Sequence, residues 1–481
     1  MTWRRWLASP ARTHGGPFGG PTASLNGRYP ANRRRILILT STIAKGGCER
    51  QILSTAAGLL QKGFQVAIMA FARAPADESL DTEFTERSIP LSYADEFPPD
   101  ATSELPSKPA VSLPADMGKY AASVRSAILQ YRPHVVHAWS DYAAIVGGSM
   151  AVALEVPRVV LGQRNVSPPS HLIENVATYR EGYRILASSP QVILINNSAR
   201  NACEYERWLE LPKGTIRVVH NGFFPGTVHT SPPEVVRQKR LDLGIPDGAK
   251  VVGSLMRFVA QKDPDLWLDT AQQIARDRDD VSFVLAGYGE LREKIVDRIS
   301  DSGLLRRFAL LDEVTDLGLF YGLLDVFLMT SRFEGTPNVL IEAQAAGCPM
   351  VATDAGGIDE TVADGVTARI VGDRSPATLA AAVLEALADD TWRTRAGEAG
   401  PSFVRQRFGH ASMIAQTLRH YYPPTSIIGR WLVRLEERWS ASRSSRHSRW
   451  NCRPRRTYGV SFLEHGPTWL REGRRKGRVA P

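Results

Sequence analysis

The sequence predicts an α/β protein made of two doubly wound parallel sheets that face each other across a cleft. Two series of short β-rich apolar runs alternate with helix-length amphipathic stretches, one from Arg35 to Gly222 and one from Lys250 to Gly372. A Pro- and charge-rich stretch over 225–247 separates them. The length, 481 residues, exceeds what one core normally serves.

The first series opens with "RILILTS", a strand, then the turn "IAKGGCERQ", the helix "ILSTAAGLLQKG" and the strand "FQVAIMAF", a βαβ unit. Residues 72–112 break the alternation with prolines and acids and predict a long surface loop. "HVVHAWS", "RVVLGQ", "VILIN" and "IRVVHNG" then read as strands with helices between them. The second series contains "KVVGSLMRF", "SFVLAGYG", "FALLDE", "VFLMTS", "MVATDAGG" and "ARIVG" as strands. Ligands of such sheets sit beyond the carboxyl ends of the strands, so the cleft is the expected site.

Hydrophobic residues make up 43% and charged residues 23%, as in ordinary globular proteins. The longest apolar run, 143–156, contains two glycines and a serine and reads as a buried helix rather than a membrane span. The four cysteines form no CxxC pair and read as free thiols; with no apolar leader at the N-terminus, a cytoplasmic location is expected. The net charge is +9, but residues 425–481 alone hold 14 Lys/Arg against four Glu; +9 less +10 leaves the rest at −1. The basic balance therefore belongs to the tail, and no nucleic-acid partner is expected.

The chemistry concentrates in "FEGTPNVLIEAQAAGCPMVATDAGG". Glu334 and Glu342 have seven residues between them and flank Gly335-Thr336-Pro337. Pro337 fits the first position of a helix, whose free N–H groups at Asn338, Val339 and Leu340 would attract an anion. Arg257 and Lys262 follow a strand end and suit a doubly charged phosphate. Asp263-Pro264-Asp265 matches a DxD metal pattern but reads better as a helix cap with proline after it, so no metal is expected.

Together with "RFVAQK", "LAGYGE" and "GGCERQ", this stretch resembles glycosyltransferase family 4, with its E-x7-E motif, over about Arg35 to Tyr422. The resemblance implies a GT-B fold of two Rossmann-like domains and a retaining transfer from a nucleotide-sugar donor to a saccharide or lipid-linked acceptor. The pathway expected from the family is surface polysaccharide biosynthesis. It implies that Glu342 holds the ribose, that Glu334 lies by the donor sugar, and that Arg257 and Lys262 neutralise the diphosphate beside the Gly335–Leu340 turn. Gly287 and Gly289 of "LAGYGE" are candidates on the donor side. Gly46, Gly47, His137 and Arg164 are candidates on the facing, phosphate or acceptor side. Trp139 stands where relatives often carry a second histidine, and Leu311-Asp312 replaces a frequent Leu-Gly.

The expected organisation is an N-terminal extension over 1–32, an acceptor domain over 33–225, a donor domain over 226–405, a helix over 406–424 crossing back, and a basic tail over 425–481. Residues 425–440 form an apolar stripe edged by arginines, which suits either a membrane surface at the inner face of the plasma membrane or packing on the body. Two alternatives stay open: a noncatalytic nucleotide- or glycan-binding protein recruited by the tail, and a phosphorylase or hydrolase of the same fold.

Overall fold

The computed structural model describes residues 35–98, 109–168, 176–224 and 226–422. The expected N-terminal extension and the amphipathic tail segment lie outside them.

The first half runs β1 Arg35–Thr40, α1 Gly47–Gln61, β2 Gln65–Ala70, α2 Asp81–Glu86, β3 Leu91–Tyr93, α3 Ala115–Tyr131, β4 Val135–Trp139, α4 Asp141–Ala153, β5 Arg158–Gln163, α5 Val176–Ala187, β6 Val192–Asn196, α6 Ala199–Leu209 and β7 Arg217–Val218. These strands form one sheet in the order β3-β2-β1-β4-β5-β6-β7. The pairings are parallel; Ile38 lies beside Ile68 on one flank and His137 on the other.

The second half runs α7 Pro233–Asp242, β8 Lys250–Leu255, α8 Pro264–Asp277, β9 Val281–Ala286, α9 Arg292–Asp301, β10 Phe308–Leu311, α10 Leu317–Gly322, β11 Val326–Met329, α11 Asn338–Ala345, β12 Met350–Thr353, α12 Ile358–Thr361, β13 Ala368–Val371, α13 Pro376–Ala388, α14 Asp390–Arg407 and α15 His410–Tyr421. Its strands pair in parallel in the order β10-β9-β8-β11-β12-β13. This is the α/β, GT-B arrangement expected.

Each sheet is covered on both faces, which is why its strands are near-continuous apolar runs. Ile36 and Ile38 face one core, and Leu37 and Leu39 the other. Around the second sheet, Trp267, Phe283 and Leu379 fill one face, while Phe320, Phe327 and Leu340 fill the other. The last helix returns to the first sheet. Met413, Ile414, Leu418 and Tyr421 join the core of Ile36 and Ile52. Burying one such side chain contributes roughly 1.5–3 kcal/mol. A Cβ on Gly58 of α1 would stand 2.6 Å from Ile414 Cδ1, so glycine lets the two helices touch. The two chain crossings between the halves lie side by side: Phe223 N–H donates to Phe408 O at 2.6 Å, and His410 N–H to Phe223 O at 3.2 Å.

Three expectations need correction. Residues 72–98 and 109–112 are not one loop, for the segment holds α2 and β3, and β3 extends the sheet. Leu80, Phe84, Ile89 and Tyr93 are buried there, spaced among acids that hid the pattern. The strand read in "IRVVHNG" is only two residues long. Cys48 and Cys348 are free thiols, but Cys203 is disulfide-bonded, so free thiols no longer argue for a compartment. Among the described residues, no helix is long and apolar enough to cross a membrane. The run 143–156 falls mostly in α4, which is buried on nearly all sides.

Candidate active site

The carboxyl ends of both sheets open on one cavity of about 750 Å³. Arg257, Lys262, Glu334, Gly335, Thr336, Pro337, Asn338, Val339 and Glu342 line one wall; Gly46, Gly47 and Arg164 line the other.

The wall built on the second sheet is positioned by loop-to-loop bonds. After β8, the chain turns through Arg257 to Lys262, then enters α8 at Asp263. Asp263 is the N-cap, accepting from Leu266 N–H, with Pro264 at the first helical position, as the sequence predicted. Asp263 also accepts from Arg374 at 2.6 Å and pairs with Arg332 at 3.1 Å. Asp265 is held by Lys294 and Arg298, each at 2.8 Å. Both carboxylates of the DxD pattern are thus engaged with cations. Gln261 Nε2 donates to Phe333 O at 2.9 Å, and Arg332 N–H to Gln261 O at 2.8 Å. These bonds set Lys262 beside Glu334, and the two form a direct ion pair. Arg257 is exposed to the cavity and has no ion-pair partner among the described residues.

α11 begins one residue later than expected. Pro337 is extended, with φ −72° and ψ 122°, and is the cap rather than the first helical residue. The N–H of Leu340 turns back to Pro337 O at 3.3 Å, which leaves Asn338 and Val339 as the outward amides of the first turn. Glu342 lies on the fifth residue of α11, buried at 6% exposure, and accepts from Tyr321 Oη at 3.1 Å. Burial pushes its carboxyl up, against the pull of Arg50 across the cavity.

The walls touch. Asn338 Nδ2 donates to Gly47 O at 2.9 Å, and Asn338 Oδ1 accepts from Asn221 at 2.9 Å and Gln51 at 3.3 Å. Thr336 Oγ1 donates to Asn197 O at 2.5 Å, and Asn201 Nδ2 to Glu334 O at 2.9 Å. Gly335 has no room for a side chain: a Cβ there would meet Arg164 O at 2.4 Å and Asn197 Oδ1 at 2.7 Å. Beside this, Glu360, 2% exposed, accepts at 2.7 Å from each of Ser198 Oγ, Ala199 N–H and Arg200 N–H at the start of α6.

Three sequence candidates are placed differently. Gly287 and Gly289 have φ near +145° and +142°, and a Cβ on either would overlap the backbone of Met256 or Phe258. They allow that close loop approach, and only Gly287 borders the cavity. His137 is 1% exposed and does not line the cavity. Its Nδ1 bonds Tyr421 Oη at 2.7 Å, and burial holds its pKa well below the usual histidine range. Strand alternation explains this, since His137 points to the face covered by α15. Sequence reading also missed Glu49, Arg50 and Gln51. Their letters stood in "GGCERQ", but only its glycines were weighed. Helix α1 starts at Gly47, which brings all three onto its first turns at the cavity.

Two family models match the chain: Glycosyltransferase Family 4 over residues 45–224 and Glycosyl transferases group 1 over 235–403. The Vi polysaccharide biosynthesis protein VipC/TviE of Salmonella typhi is 32% identical over 57% of this chain and 48% of its own length. A D-inositol 3-phosphate glycosyltransferase of Corynebacterium urealyticum is 30% identical over 45% of this chain and 53% of its own. The chain thus spans about half the length of these two curated relatives. A D-inositol 3-phosphate glycosyltransferase 1 of Catenulispora acidiphila is 26% identical over 82% of this chain and 96% of its own. Among solved structures, Anabaena Alr3699/HepE in complex with UDP and glucose superposes with a TM-score of 0.67 at 21% identity, covering 80% of this chain and 99% of that one. The two matched segments together take in both sheets and both walls of the cavity, and the chain belongs to the family 4, group 1 glycosyltransferases.

Proposed function

We propose that the protein is a retaining glycosyltransferase that moves a sugar from a nucleotide-sugar donor to a glycan or lipid-linked saccharide acceptor, in the making of a surface polysaccharide. The observation that carries this is the convergence on one cavity of Arg257, Lys262, the first turn of α11 and the two carboxylates Glu334 and Glu342.

Breaking a glycosyl–phosphate bond leaves negative charge on the departing nucleoside diphosphate. Arg257, Lys262 and the Asn338 and Val339 amides supply positive charge where that group would lie. This reading needs no divalent cation, and the Asp263 and Asp265 carboxylates are taken up by arginines and a lysine. A ribose at Glu342 would meet an acceptor already oriented by Tyr321. Glu334 has a second task. A diphosphate that draws Lys262 away frees Glu334 to accept from a donor-sugar hydroxyl. Attack on the face from which the phosphate leaves needs no protein nucleophile, and none is assigned. The membrane-surface partner expected from 425–440 stays a proposal on the same footing.

The test is thermal stabilisation by UDP, GDP, ADP and dTDP, with Glu342→Ala and Arg257→Ala as controls. A rise with one nucleotide, lost in both variants, supports the donor site. No rise with any of them in a folded sample moves the binding-protein alternative ahead. Product analysis with and without acceptor separates transfer from hydrolysis or phosphorolysis.

A further inference from the structure

On the first sheet's wall the donor reading leaves Lys45, Arg50 and Arg164 unused; Lys45 pairs with Glu313, and Arg164 lies over an indole. Arg164 follows β5, and its guanidinium carbon lies over the Trp139 ring, 3.4 Å from the centroid. Its Nε is buried with no hydrogen-bond partner. No carboxylate pairs with it among the described residues. The groups in electrostatic contact with it include the Cys48 thiol and the Tyr421 phenol, both kept neutral by burial, and His137, whose protonated form it disfavours. Burial brings the guanidinium down to about 10, which leaves it charged at neutral pH.

The acids nearby form no ion pair with Arg164 among the described residues. Asp141 Oδ1 accepts from Tyr183 and Tyr205, each at 2.7 Å. Burial pushes the Glu49 carboxyl up toward its neutral form, and Glu334 holds Lys262. Removing a cation from water without a counter-charge is costly. Stacking on an indole recovers only part of that cost. The planar fork is also the donor set that matches phosphate or carboxylate in two bonds.

We infer that Arg164 is the anion-binding residue of the first sheet's wall and takes a phosphate or carboxylate group carried by the sugar acceptor. This rests on the donor reading above, in which the donor's diphosphate is met from the opposite wall by Arg257 and α11. Arg164 stands across from those groups, flanked in the cavity lining by Ser140, Asn165 and Cys48. The acceptor class is thus an anionic saccharide or a saccharide on a phosphate-bearing carrier.

The experiment uses the full-length protein saturated with whichever of the four nucleoside diphosphates stabilises it, melted with inorganic phosphate against chloride at equal ionic strength. Phosphate is expected to add a further rise on the order of 1–2 °C. Arg164→Gln should lose that increment and keep the nucleotide's own shift. Arg164→Lys keeps the charge but not the fork, and should retain less than half of the increment; it decides the matter if the glutamine variant does not fold. Three results overturn the inference. Phosphate has no effect with or without nucleotide. Phosphate acts only when nucleotide is absent and Arg164→Gln weakens the nucleotide shift, which makes the anion the donor's own. No nucleotide gives a shift, in which case the donor reading falls first and the acceptor assignment with it.

Discussion

Replacing Glu334 by glutamine should tighten the binding of a nucleoside diphosphate while it lowers transfer. Lys262 and Glu334 form a direct ion pair, with side chains 18% and 7% exposed. A phosphate that uses Lys262 must compete with that carboxylate. Removing one partner of a fully buried pair costs about 3–5 kcal/mol, because the other charge is left uncompensated. Lys262 keeps some contact with water, and screening brings the figure down to about 1–2 kcal/mol. In Glu334→Gln the free protein carries that cost, and an arriving diphosphate relieves it. The Kd should fall roughly 5- to 30-fold by calorimetry. Lys262→Ala should move it the other way. Transfer should drop in Glu334→Gln, because the amide is a weaker acceptor for a sugar hydroxyl whose bond strengthens in the transition state. An unchanged or weaker Kd in Glu334→Gln would refute the competition and make the ion pair a fixed structural element.

Glu360→Gln leaves an amide facing three donors at the start of α6, and should cost about 2–3 kcal/mol in urea unfolding; a double cycle with Ser198→Ala should show coupling above about 0.5 kcal/mol. Gly335→Ala has no space at Arg164 O and should separate the walls, seen as a larger radius of gyration in solution scattering and a large loss of transfer. Transfer should survive chelation by EDTA, and Asp265→Ala should leave it unchanged. Burial lowers the pKa of His137, and brings that of His420 to about 4, so the unfolded chain takes up protons first as pH falls. Stability is therefore full above about pH 6.5 and is lost below it, at up to about 1.4 kcal/mol per pH unit for each histidine. His420→Gln should flatten that acid limb between about pH 6.5 and 4.

The sheets were legible because strands covered on both faces are written as unbroken apolar runs. The cap at Asp263 was legible because capping is local: an acid, a proline and a helix in three letters. Pro337 looked the same and was not. Its extended ψ places it outside the helix by one residue, a choice set by the contacts of Thr336 and Asn338 with the opposite wall. Glu360 carried no local signal. It reads as an acid at the start of a short helix, and its partners are about 160 residues away. The placement of His137 was not legible because one residue of register decides which face of a strand a side chain takes. Glu49 and Arg50 were visible in "GGCERQ" but needed the helix start at Gly47 before their direction toward the cavity could be known.

The placement of two helix starts gives closure and binding a common cause. α1 begins at Gly47 and α11 at Asn338, and Asn338 joins them by donating to Gly47 O. Both helices present their positive ends to one cavity, along with Arg50, Arg164 and Arg257. Lys45 of the first wall also pairs with Glu313 of the second, at 2.9 Å. The Gly335, Thr336 and Asn338 contacts and the Glu360 bond to α6 hold the walls together as well. A diphosphate lying between the two helix starts would add one more tie, since both ends attract it. By linkage, the factor by which a bound anion favours closure is the factor by which closure tightens the anion. Glu360→Gln therefore has a second expected readout. Although Glu360 does not line the cavity, its loss should weaken nucleoside diphosphate binding by as much as it lowers the closed population, at most by its full cost to the closed arrangement. A Kd unmoved by Glu360→Gln, in a protein whose unfolding has shifted, would mean that the walls stay together without it and that closure and binding are separate.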